Sequence, residues 1–259
     1  MTQSNNTIRS SKDKLAIIIG ATSGTGLALT HRFAKAGMQV IGLGRNLEKL
    51  NSSSFPTSNT QFIECDGSRT ESADHFLSKY KPDLIVITGG THPKMSPINQ
   101  MDWAEFSEPW NNDTKITFEW TKAVINHYRE NKHLTPIKMI SISSGAALHG
   151  SPLSGGYAGA KRMQTFITEY GQIEADAYDL PITFLSITPK QLIEGTDIAL
   201  SASSVYAMRK GITQNEFMAQ WKKPLTLELV AQQIESIVSN DKSGGCTYLL
   251  SGDGFERLS

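Results

Sequence analysis

Tyr157 and Lys161 stand four residues apart in the run Tyr157-Ala-Gly-Ala-Lys161. On a helix this spacing puts both side chains on one face. A lysine ammonium beside a phenol favours the phenolate, so the Tyr157 pKa is expected to fall below its ordinary value of about 10. A tyrosine so placed can move a proton to or from a carbonyl or alcohol oxygen. The same pair occurs on many surface helices, so its meaning depends on what precedes it. Upstream, Ile140-Ser-Ile-Ser-Ser144-Gly closes an apolar run, and α/β folds bind ligands at the carboxyl ends of such strands. Ser144 can hydrogen-bond the reacting oxygen as charge develops. The plainer reading of Ser143 and Ser144 is that they end the strand.

A second constellation is Gly20-Ala-Thr-Ser-Gly24-Thr-Gly26, which follows the apolar run Leu15–Ile19. Glycines between a strand and a helix permit a tight turn and close backbone approach to a pyrophosphate. The helix start then offers free amides and a positive dipole end. Thr22, Ser23 and Thr25 add hydroxyls. A purely structural turn is the rival reading. The spacing is not Gly-x-Gly-x-x-Gly, and no Gly-Lys-Ser/Thr follows to make a P-loop. The second apolar run ends Leu43-Gly44-Arg45-Asn46 with no acid. An acid there would hold the ribose hydroxyls of NAD, whereas Arg45 can fork onto the 2′-phosphate of NADP. NADP is therefore the expected cofactor, with NAD as the alternative and a solvated Arg45 as the plain one. Asp66 can meet the adenine edge or cap a turn.

These residues need a scaffold, and the chain alternates short apolar runs with amphipathic stretches. Strands are expected at 15–19, 39–44, 60–65, 84–88, 137–142 and 182–187, with 247–250 as a last strand at the far edge. Helices are expected over 26–36, 72–80, 103–129 and 157–178, and Pro109 should break or restart the third. The continuous apolar runs suit parallel strands covered on both faces. The fold class is α/β, a Rossmann-type doubly wound parallel sheet with helices on both faces. Residues 12–259 read as one catalytic domain behind a flexible tail, 1–11. Residues 190–223 break the rhythm and are a candidate substrate lobe.

Bulk composition narrows the function. Lys+Arg and Asp+Glu are equal at 25 each, without the basic excess of a nucleic-acid binder. Cys65 and Cys246 lie far apart without disulfide or metal-ligand spacing, so a reducing compartment and no metal are expected. The polar start lacks the apolar core of a secretory signal, and no apolar run approaches the roughly 18 residues of a membrane span. A cytoplasmic protein with neither nucleic-acid nor membrane partners is expected.

Taken together, the motifs resemble the short-chain dehydrogenase/reductase family from about Leu15 to Gly252-Asp253-Gly254. The resemblance implies hydride transfer between nicotinamide and a small carbonyl or alcohol. It implies that Tyr157 moves the proton, that Ser144 positions the substrate oxygen and that Lys161 binds the nicotinamide ribose. It also implies a homodimer or homotetramer built on the two long helices; the Trp and Met residues of the long middle helix themselves read as core or subunit contact. Ser23 stands where many NADP-preferring relatives carry a second basic residue. Three departures stand out. The family's Asn-Asn-Ala-Gly is here Ile87-Thr88-Gly89-Gly90, whose glycines can still line the cofactor. The family's helical Asn, which helps hold a proton-relay water, falls on Asp113, with Asn111 and Asn112 beside it. The family's Pro-Gly is Pro189-Lys190, which brings Leu192 and Thr196 near the carboxamide. His92 and His149 can face substrate but read better as loop histidines. The departures also support a runner-up reading, a dinucleotide-binding redox-sensing or regulatory protein with little turnover.

Overall fold

Ala16 and Ile18 face one side of the first strand, and Ile17 and Ile19 face the other; all four are buried. Successive strand side chains point to opposite faces, so a strand covered on both must be apolar throughout. In the computed structural model, which describes residues 14–48, 50, 58–131, 134–240 and 246–258, this logic repeats along the chain. The expected tail, 1–11, lies outside the described residues.

The elements run β1 (Leu15–Ile19), α1 (Gly24–Lys35), β2 (Gln39–Gly44), β3 (Thr60–Glu64), α2 (Thr70–Tyr80), β4 (Leu84–Ile87) and α3 (Trp103–Pro109). A π-helical turn (Trp110–Thr114), α4 (Lys115–Glu130), β5 (Ile137–Ile142), α5 (Ala146–His149), α6 (Gly155–Ala177), β6 (Ile182–Pro189) and β7 (Ile193–Glu194) follow. The chain goes on through α7 (Asp197–Lys210), α8 (Gln214–Met218), β8 (Leu225–Thr226), α9 (Leu227–Asn240), β9 (Cys246–Ser251) and β10 (Gly254–Leu258). Eight strands form one sheet in the order β10-β9-β6-β5-β4-β1-β2-β3. All its pairings are parallel except β9 with β10. Leu29 and Phe33 of α1 and Ile234 of α9 cover one face. Phe76 of α2, Trp120 of α4 and Ala175 of α6 cover the other. The doubly wound sheet is the one expected, and the order reverses between β1 and β4. A crevice opens there beyond the carboxyl ends of the strands.

Three expectations change. β9 is not the far edge, because the turn Ser251-Gly252-Asp253-Gly254 reverses the chain and β10 pairs antiparallel outside it. Gly254 adopts φ +133°, which favours glycine. Pro109 does not interrupt the third helix. Proline cannot donate the i→i−4 bond, and the helix instead widens into the π turn, where the Lys115 N–H reaches the Trp110 carbonyl. The 190–223 stretch is not irregular but carries α7 and α8. Thr196 caps α7, accepting from the Ala199 N–H at 3.1 Å. Thr213 and Glu216 form a capping box on α8. The segment Asp197–Lys210 is rich in Ala and Ser, so its weak apolar periodicity hides the helix.

Candidate active site

A cavity of about 430 Å³ runs along the carboxyl ends of β1, β2, β4, β5 and β6, within the size range of small-molecule sites. Its lining includes Gly20, Thr22, Ser23, Gly24, Thr25, Gly26, Arg45, Asp66, Thr88, Gly89 and Gly90. It also includes Asp113, Ser144, Tyr157, Lys161, Pro189 and Leu192. The sheet topology therefore gathers into one cleft every site residue expected from the sequence.

The glycines divide by role. A Cβ on Gly20 would lie 2.4 Å from the Gly89 nitrogen, and one on Gly26 would lie 2.1 Å from the Gly20 carbonyl oxygen. Those two pack the turn against the β4 loop and itself. Gly24 is different: it adopts φ +51°, and the nearest atom to a Cβ there, on Thr196, is 3.6 Å away. This glycine faces the open cleft. Ser23 makes no side-chain cap, and the first turn of α1 holds no acid. The α1 amides and dipole thus point into the cleft without a side-chain acceptor, which fits a pyrophosphate. Thr88 replaces the family's asparagine. Its hydroxyl donates to the Ile19 carbonyl at 2.8 Å, tying β4 to the glycine turn.

At the far end, Asp66 takes the turn-capping use and also lines the cleft. Its carboxylate accepts from the Ser68 N–H at 3.0 Å and hydroxyl at 2.8 Å. Partial burial pushes the Asp66 carboxyl up, but the Ser68 hydrogen bonds and the Arg45 and Arg69 charges outweigh it, so it sits below its usual value. Arg45 is exposed and lies at the same end of the cleft.

Ser144, Tyr157 and Lys161 occupy the other end. Ser144 and Tyr157 both line the cleft there. The Lys161 ammonium lies 5.5 Å from the Tyr157 ring centroid. Lys161 is only 5% exposed and Tyr157 8%. The Ser143 hydroxyl donates to the Lys161 carbonyl at 2.8 Å and fastens α6 to the end of β5. Gly156 fixes the other side of α6: a Cβ there would lie 2.0 Å from the Phe106 carbonyl oxygen. This close approach brings the π turn against α6. Asp113, fully buried, then sits with Oδ2 3.2 Å from Lys161 Nζ. Its Oδ1 accepts from the Thr91 N–H at 2.8 Å and hydroxyl at 3.1 Å.

This arrangement overturns one expectation. Burial pushes the Tyr157 phenol up. Lys161 pulls it down, Asp113 pushes it up again and the Ser144 hydrogen bond lowers it, and the balance stands above the ordinary tyrosine value. The sequence spacing shows Lys161 but neither the burial nor the opposing carboxylate. For Lys161, burial pulls down, yet Asp113 and Tyr157 outweigh it and the ammonium is held above its usual value.

Several neighbours land away from the Ser144–Tyr157–Lys161 end. Asn112 lines the cleft but ties its amide to the Glu108 carbonyl at 3.0 Å, leaving Asp113 as the partner of Lys161. The backbone carbonyl of Asp113 accepts from Gln164 Nε2 at 2.9 Å. Lys190 turns toward Glu256, 3.1 Å away, and does not line the cleft. His149 also lies off it, whereas His92 lines it and approaches Asp197 to 3.8 Å across its mouth.

A family model described as short chain dehydrogenase matches residues 14–203. The chain belongs to the short-chain dehydrogenase family. Among its relatives is L-fucose dehydrogenase from Oryctolagus cuniculus, 22% identical over 178 residues. That match covers 67% of this chain and 61% of the relative, so it spans about three fifths of the relative's length. The solved structure of NAD+-bound xylitol dehydrogenase matches with TM-score 0.79 at 15% identity, covering 92% of this chain and 98% of that one. ElxO with NADP bound matches with TM-score 0.75 at 18% identity, covering 92% and 97%. These two likenesses show the fold. Among the described residues of this short-chain dehydrogenase family member, no helix is long and apolar enough to cross a membrane. Sequence reasoning missed Thr91, Gly156 and Gln164. Thr91 sits in a loop without a motif. The Gly155-Gly156 pair opening α6 was the available signal for Gly156.

Proposed function

We propose that this chain is an NAD(P)-dependent oxidoreductase that interconverts a small carbonyl compound and its alcohol, with NADP preferred. The observation that carries this reading is that Ser144 and Tyr157 line one end of a cleft, with the Lys161 ammonium 5.5 Å from the Tyr157 ring centroid, while the other end is a glycine turn and Arg45. The nicotinamide nucleotide, when bound, supplies or accepts the hydride. Gly24 and the α1 amides hold the pyrophosphate, and Arg45 takes the 2′-phosphate. Thr88, Gly89, Gly90, Pro189 and Leu192 line the path of the nicotinamide half. Ser144 Oγ and Tyr157 Oη together hold the substrate oxygen, and Tyr157 gives it a proton in reduction or removes one in oxidation. α7 and the β4 loop wall the cleft on this side. Residues 12–259 act as one catalytic unit, with α7 and α8 over the substrate, in a cytoplasmic homo-oligomer.

The decisive experiment is titration of the purified protein with NADPH and NADH, followed by a carbonyl screen with whichever binds. Binding of neither removes this reading. A second reading, a dinucleotide-binding regulator without turnover, draws on the direct pairing of Lys161 with Asp113 at 3.2 Å, which commits the ammonium elsewhere. Tight nucleotide binding with no turnover across the screen supports that reading; turnover lost in Tyr157→Phe supports the enzyme.

A further inference from the structure

Asp113 carries an unusual load for one side chain. It is fully buried, and its two oxygens are divided between different elements. Oδ1 accepts the N–H and hydroxyl of Thr91 from the β4 loop. Oδ2 faces Lys161 of α6 at 3.2 Å. Its own backbone carbonyl is taken by Gln164 and, at 3.3 Å, by the Thr117 hydroxyl. The loop is shaped to it, because a Cβ on Gly90 would lie 2.5 Å from Oδ2. The Lys161 ammonium also donates to the Ile142 carbonyl at 3.4 Å. A carboxylate this deep requires a partner, since an uncompensated buried charge is strongly destabilising. An ammonium paired at this distance also acts on its surroundings more as a dipole than as a full positive charge.

We propose that Asp113 is a positioning residue of this site: its carboxylate, braced by Thr91, pins Lys161 and offsets the ammonium's charge beside Tyr157. The inference rests on the acid/base role given to Tyr157 above. The groups acting on that phenol are Lys161 from its own helix, Asp113 from the π turn, the Ser144 hydroxyl after β5 and the Tyr206 hydroxyl from α7. Asp113 and Lys161 are the charged members of that set, and they oppose each other. The backbone carbonyl at position 113 is already engaged by Gln164, so communication with Lys161 runs through the carboxylate.

The test needs neither substrate nor nucleotide. The full chain carrying tyrosines labelled with 13C at Cζ is titrated by NMR, with the Tyr157 signal identified by its loss in Tyr157→Phe. Asp113→Asn is expected to lower the Tyr157 midpoint by about one pH unit or more, a tenfold rise in its ionisation constant. Lys161→Met is expected to raise it. The double variant Asp113→Asn/Lys161→Met removes both charges together and should return the midpoint toward that of the parent. It serves equally well where the single Asp113 variant does not fold. An unmoved midpoint in Asp113→Asn, or identical midpoints in Lys161→Met and the double variant, overturns the proposal. Midpoints that move as expected in a protein binding neither NADPH nor NADH would leave the pairing intact and remove the proposed function instead.

Discussion

Gly90 is what lets Asp113 stand inside the cleft, because a single methyl at position 90 would lie 2.5 Å from the Asp113 carboxylate. Gly90→Ala therefore forces the carboxylate or the loop to move. Overpacking of this kind costs about 1–3 kcal/mol. For a chain of this size the midpoint of thermal unfolding should fall by several degrees, which calorimetry would check. A variant that melts with the parent would show the loop to be compliant.

Arg45 is the residue proposed to take the 2′-phosphate of NADP. Arg45→Ala should weaken NADPH by about tenfold or more, the worth of one charge-assisted contact, and leave NADH nearly unchanged. Isothermal titration with both nucleotides reads the split. Equal losses for the two would place Arg45 on a shared part of the cofactor.

Tyr157→Phe removes the hydroxyl that faces Ser144 but keeps the ring. Turnover should drop by about 100-fold or more, while the nucleotide Kd stays within a small factor. Steady-state rates beside a binding titration separate these two effects. Undiminished turnover would move the proton-transfer role to another group.

Because burial and Asp113 hold the Tyr157 phenol above its ordinary value, the residue stays protonated through neutral pH. Reduction, which needs the phenol, should be flat across neutrality and decline only on the alkaline side. Oxidation, which needs the phenolate, should climb as pH rises. A pH profile of kcat/KM in both directions reads this, and an oxidation optimum near neutrality would contradict it.

Phe166, Tyr170 and Ile173 form an exposed stripe on α6, with Ile173 65% exposed. Their spacing places them on one helical face, and contiguous apolar patches of this kind mark interaction surfaces. Ile173→Glu should convert an oligomer to a monomer, as read by light scattering. A parent that is already monomeric at all concentrations would refute the oligomer.

What could be read from the sequence was local. The glycine turn, the strand before it and the Tyr157–Lys161 spacing are set by neighbours within a few residues, and the structure shows each at its expected place. Partnerships across the fold were not legible. Thr91 meets Asp113 only because the π turn rotates position 113 inward, and no periodicity announces a π turn. The direction of the Tyr157 pKa shift was not legible for the same reason: Lys161 is four residues away, whereas the burial and the opposing Asp113 come from other elements. The helices of the 190–223 lobe were hidden by their Ala and Ser content, although Thr196 and the Thr213–Glu216 pair were readable caps.

The π turn from Trp110 to Thr114 also sets the angular phase between two rigid rods. Each residue of an α-helix advances the chain by about 100°, so one extra residue offsets everything before it from everything after it. α3 can thus seat Phe106 on the glycines of α6 while α4 keeps Trp120 in the core under the sheet. Deleting a single residue here would restore an ordinary helix at the cost of that phase. One of the two rods would have to present its wrong side, and position 113 would swing away from Lys161. The widened turn therefore makes the length of this segment, and not only its composition, a condition of the site.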